Sequence, residues 1–127
     1  MSANSSVRAV VAGHGTFAAG IISAVDQIAG LGSHFVAVSN TGLAPGGIEA
    51  LVRAALDESG AVVVFTDLPA GSCTMAVRRM AKVAPGITLV TGVTLPTLLA
   101  FALGAEPEEA VARGREALML LESKRDT

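Results

Sequence analysis

The 127-residue chain is 51% hydrophobic and 16% charged, the balance of a folded chain rather than a disordered one, and its length supports one core but not two, so residues 1–127 are read as a single domain. A formal net charge of -2, with no Trp, no Tyr and 4 Phe, leaves neither the basic footprint nor the stacking platforms that nucleic-acid binding uses. One cysteine excludes an internal disulfide, the start MSANSSVR lacks a basic stretch followed by an apolar core, and no apolar run reaches the ~18 residues of a membrane span; a cytoplasmic protein is expected, its mean hydropathy of +0.60 coming from buried strands.

In chain order, four short apolar runs at 7–12, 34–38, 61–66 and 87–91 carry Val, Ile, Leu and Phe with little polar alternation, as strands covered on both faces do. Helical spacing fills the gaps. Phe17, Ile21, Val25 and Ile28 form one stripe, and Ile48, Leu51, Val52, Ala55 and Leu56 another. Gly30, Gly32 and Gly60 close these two helices, and Pro85-Gly86 closes a third over 73–84. A short apolar helix is predicted over 96–103, and a last one starts at Glu106-Pro107 and runs to about Glu122. Strands alternating with helices predict an α/β doubly wound domain, a mainly parallel sheet of about four strands with helices on both faces. Such sheets bind ligands beyond the carboxyl ends of their strands, where the strand order reverses.

The first strand runs into Gly13-His14-Gly15-Thr16, a histidine in a glycine-flanked turn open to the crevice. The third ends at Asp67, before Leu68-Pro69-Ala70-Gly71 and Ser72. If these strands are neighbours, Asp67 can accept the Nδ1 proton of His14 and leave Nε2 as a free lone pair. Gly71 and Ser72 then open a helix whose N–H groups and hydroxyl can cradle an anion. A nucleophilic imidazole beside an anion nest points to phosphoryl chemistry. No carboxylate set for Mg²⁺ is evident, so neither metal nor cofactor is expected. Two rival readings are weaker. Gly13-x-Gly15-x-x-Ala18 fits a dinucleotide fingerprint, but Ser39-Asn40-Thr41 stands where a ribose-binding acid belongs. A small chelatase using a strand-end histidine would need a second ligand nearby.

Three segments, Val10-Val11-Ala12-Gly13-His14-Gly15-Thr16-Phe17-Ala18-Ala19-Gly20, Phe65-Thr66-Asp67-Leu68-Pro69-Ala70-Gly71-Ser72 and Val90-Thr91-Gly92-Val93-Thr94-Leu95-Pro96, resemble the IIA component of the mannose family of the bacterial sugar phosphotransferase system. The likeness continues to Gly114-Arg115-Glu116 in the last helix. It implies a phosphocarrier in a homodimer: the phosphocarrier HPr loads the histidine matching His14, the aspartate matching Asp67 orients it, and a IIB component receives the phosphoryl group to feed a sugar permease, the only link to the membrane. The first motif also looks like members specific for N-acetylgalactosamine. Ala70, Cys73 and Thr94 depart from the family pattern at loops where partners dock, which leaves open a regulatory paralogue whose phosphorylation state controls a partner.

Other residues read structurally. His34 is expected at a strand edge, Cys73 as a small packing residue, and Arg78, Arg79 and Lys82 on a solvated helix face that can also steer an acidic partner. Leu98, Leu99, Phe101 and Leu103 assign their helix to the core or a dimer interface, and the tail over 122–127 is a solvated end or a junction stub.

Overall fold

The computed structural model describes residues 6–124; the expectations for the first five residues of the chain and the last three lie outside it. The elements in order are β1 (Ala9–Gly13), α1 (Phe17–Ala29), a 3₁₀ turn (Gly32–His34), β2 (Phe35–Ser39), α2 (Pro45–Ser59), β3 (Val63–Thr66), α3 (Ser72–Val83), β4 (Thr88–Val90), α4 (Leu95–Ala102) and α5 (Pro107–Ala117). The strands form one parallel sheet in the order β2-β1-β3-β4. This is the expected α/β architecture, with order reversing between β1 and β3.

Both faces of the sheet are covered. On one, Ala9, Val11, Phe35 and Phe65 pack with Val25 of α1 and Leu98 and Phe101 of α4, three Phe rings meeting at centroid distances of 5.1 to 6.5 Å. On the other, Val10, Ala12 and Val64 pack with Ile48, Val52 and Leu56 of α2 and Val77 and Met80 of α3. Inner strands sandwiched this way read as unbroken apolar runs because neither face meets water. At α4 against α5 the helices approach so closely that a Cβ on buried Gly114 would land on the Thr97 hydroxyl.

Departures from the sequence pattern fall mostly at the ends of elements, with Leu51 in the middle of α2 the exception. α5 stops at Ala117 rather than near Glu122: Leu118 takes extended angles, and residues 118–124 have no regular structure. Within the predicted stripes Ile28 is 61% and Leu51 47% exposed, and Leu103 lies outside the core while Leu98 and Phe101 are buried. His34 sits in the turn before β2, its carbonyl accepting from the Arg8 N–H at 2.7 Å. No helix among the described residues is long and apolar enough to cross a membrane.

Candidate functional site

Register assembles the site. Ala12 pairs with Thr66 and Gly13 with Ser39, so the residues just beyond the strands, His14, Asn40 and Asp67, emerge side by side at the order reversal. The His14 N–H donates to Asp67 Oδ2 at 2.9 Å, and ring Nδ1 lies 2.7 Å from the same oxygen. Two bonds to one carboxylate oxygen hold backbone and ring together. With Nδ1–H donating, Nε2 carries the lone pair, and among the described residues it has no partner. The His14 side chain is 49% exposed and that of Asp67 10%, so the imidazole faces outward from a largely buried carboxylate.

Electrostatics match this arrangement. Burial by itself would push the Asp67 carboxyl up, but bonds from the His14 ring and backbone, with the attraction of the imidazole, bring it below its ordinary value of 3.8. The bonds from His14 therefore favour the charged carboxylate over the neutral acid. Its second oxygen, Oδ1, is buried without a partner, so ring and carboxylate interact through Oδ2 alone.

Glycines set the clearances. A Cβ at Gly13 would stand 2.8 Å from the Phe17 ring and 3.1 Å from Asp67 Oδ2, filling the space where the carboxylate meets the backbone. Gly15 turns the chain into α1 at φ 54, in the left-handed region that favours glycine. At Gly71 a Cβ would come within 3.2 Å of the His14 ring carbon Cε1. The Gly71 N–H is turned to the Leu68 carbonyl at 3.4 Å, so what Gly71 contributes here is close approach to the ring, and the first free end of α3 begins at Ser72.

The turn that carries Asp67 is pinned from below. Thr66 and Thr74, both fully buried, join hydroxyl to hydroxyl, and Thr74 in turn donates to the Leu68 carbonyl. Across the cleft the Asn40 amide meets the Ser72 hydroxyl at 3.1 Å. Sequence reasoning missed Thr66, Thr74 and Asn40 as site residues, although the strand-end rule that singled out His14 applies equally to Asn40. Of the three family departures, Ala70 is exposed, Cys73 is fully buried, and Thr94 caps α4 by accepting from the Thr97 N–H. Burial, reinforced by the Asp67 charge and opposed by Ser72, raises the Cys73 thiol above its ordinary value; it packs, as expected. Arg79 pairs with Glu49 of α2 at 2.9 Å, while Arg78 and Lys82 are exposed. Among the described residues no group of three His, Cys, Asp or Glu could hold a metal ion.

Residues 8–117 match the family model described as "PTS system fructose IIA component". The chain belongs to this family, the mannose-type IIA components of the sugar phosphotransferase system. Solved structures share the fold. The mannose/sorbose specific IIA subunit from Enterococcus faecalis superposes with a TM-score of 0.80 at 18% identity, over 95% of this chain and 98% of that one. The IIA protein associated with the fucose utilization operon of Streptococcus pneumoniae gives 0.81 at 21% identity, over 94% and 96%. A sigma-54 interaction domain protein from Enterococcus faecalis gives 0.69 at 16% identity, over 91% and 92%. The search of curated proteins found no match. The IIA component is thus a phosphotransfer component of sugar uptake.

Proposed function

We propose that this IIA component is a cytoplasmic phosphocarrier that takes a phosphoryl group from phospho-HPr on His14 and passes it to a IIB component. The observation that carries the reading is the 2.7 Å contact between Nδ1 and a carboxylate favoured in its charged form, which leaves Nε2 of a half-exposed side chain as nucleophile. The Nε2 lone pair attacks phosphorus; the Nε2–P bond forms as the donor's N–P bond breaks, and that electron pair returns to the donor imidazole. The proton stays on Nδ1, and Asp67 offsets the positive charge that spreads into the ring. Ser72 and the first-turn N–H groups of α3 face the phosphoryl oxygens, with Gly71 giving them room. These donors take the place of a divalent ion, so transfer from purified phospho-HPr persists in chelator.

A homodimer fits the remaining surface. Leu118, Met119, Leu120 and Leu121 are 62 to 85% exposed in succession, far more contiguous apolar area than a monomer's tail should carry. Beside them the free edge of β4 and α5 frame an open groove of about 490 Å³ lined by Thr88, Val90, Pro107 and Val111. A second copy of the chain would cover both.

The regulatory alternative shares this chemistry and differs in the acceptor, and the likeness to a sigma-54 interaction domain protein is the observation in its favour. Incubation with phosphoenolpyruvate, enzyme I and HPr should give an acid-labile, alkali-stable phosphate on the wild-type protein and none on His14→Ala. Undiminished labelling of that variant would move the nucleophile elsewhere. Onward transfer to a IIB protein separates relay from regulation.

A further inference from the structure

Asn40 is bound from three sides. Its backbone N–H donates to the Gly13 carbonyl at 3.2 Å, beside His14, and its own carbonyl accepts from the Leu43 N–H at 3.1 Å. Its side-chain nitrogen donates to Ser72 Oγ at 3.1 Å. The residue therefore bridges the strand end that carries the nucleophile and the first residue of α3. Both Asn40 and Ser72 are half-buried.

A serine hydroxyl has one hydrogen and two lone pairs, and it rotates freely unless something holds it. A phosphoryl group only accepts hydrogen bonds. A hydroxyl beside it is useful when its hydrogen points at the phosphoryl oxygens, and useless when the hydrogen is spent on a neighbouring acceptor. An amide N–H engaging the Ser72 lone pair sets that polarity: the oxygen is occupied from the Asn40 side, and the hydrogen is left for another acceptor, for which the phosphoryl oxygens outcompete the weakly accepting Cys73 sulfur that Ser72 also reaches. We propose that Asn40 is a positioning residue for phosphoryl transfer, directing the Ser72 hydroxyl hydrogen toward the group on His14 Nε2. This rests on the phosphocarrier reading above and adds to it a role for the β2–α2 turn, which touches the phosphoryl group only through Ser72.

The role makes Asn40 and Ser72 one unit, so their effects on rate must not multiply. The test is the single-turnover rate of transfer from phospho-HPr in Asn40→Ala, Ser72→Ala and the double variant, with thermal melts as a folding control. Asn40→Ala is expected to slow transfer roughly tenfold in the wild-type background and to have almost no effect when Ser72 is already alanine. Asn40→Asp keeps the shape but can only accept, so it captures the Ser72 hydrogen. It should be slower than Asn40→Ala, and its penalty should shrink in Ser72→Ala. If Asn40→Ala melts early, the Asn40→Asp pair alone decides. A wild-type rate in the Asn40 variants, or the same slowing with and without the Ser72 hydroxyl, overturns the assignment. Absence of His14 labelling in the wild-type protein overturns the phosphocarrier reading instead, and so the two failures are told apart.

Discussion

β1 and β3 are the inner strands of the sheet, every residue of both buried, and the loops beyond them meet each other through the two bonds from His14 to Asp67 Oδ2. β4 is an edge strand of three residues, exposed or half-exposed throughout, and the segment that follows α5 beside it leaves four apolar side chains in water. Buried inner strands give rigid, registered ends, where reacting groups can be held at hydrogen-bond distance. An unpaired edge invites another chain. The molecule thus places the His14 and Asp67 pair at the ends of its buried strands and its exposed apolar surface at the sheet edge and after α5.

That separation can be broken at the site first. Asp67→Asn keeps the size of the side chain but removes the charge, and its NH₂ can turn to the ring and favour the tautomer with Nε2 blocked. Transfer should slow by on the order of 10² to 10⁴ with circular dichroism unchanged; a wild-type rate removes Asp67 from the mechanism. Gly71→Ala is subtler. The backbone there, at φ -78, suits any residue, so the substitution isolates the 3.2 Å approach to the imidazole. Displacing the ring by a few tenths of an ångström should cost roughly tenfold in rate, measured in the same single-turnover assay.

The edge is tested by Leu120→Asp combined with Leu121→Asp. Sedimentation should show loss of the dimer, while transfer to His14 stays within a factor of about three, since distant sites act independently. A large loss of transfer would join the two regions that the structure keeps apart.

The smallest effect is in stability against pH. Because the Asp67 carboxyl lies below its ordinary value in the folded chain, its contribution is whole above about pH 4 and is lost as pH falls through the lowered folded value. Wild-type protein should therefore lose melting temperature more steeply below about pH 4 than Asp67→Asn does. Equal slopes would mean that the His14 bonds do not favour the charged carboxylate.

The amino-acid sequence determined the fold class, the order of elements and the pair His14 and Asp67, since apolar runs, helical spacing and glycine turns are local signals written in neighbouring residues. Strand ends were legible too, to within one or two residues. The end of α5 was not: its apolar positions continue to Leu121, but burial of a helix face needs a surface to pack on, and none lies beyond Ala117 in one copy. Gly71 shows the same limit at the site. Sequence placed it at the start of a helix as part of an anion cradle, and only the structure shows its N–H turned to the Leu68 carbonyl and its bare Cα making room for the imidazole, whereas Cys73 packs in the core as its sequence position led one to expect. The Asn40 contact with Ser72 and the buried Thr66-Thr74 pair also belong to tertiary structure. They join residues 32 and 8 positions apart, and which loops meet is decided by strand order, which no local pattern encodes.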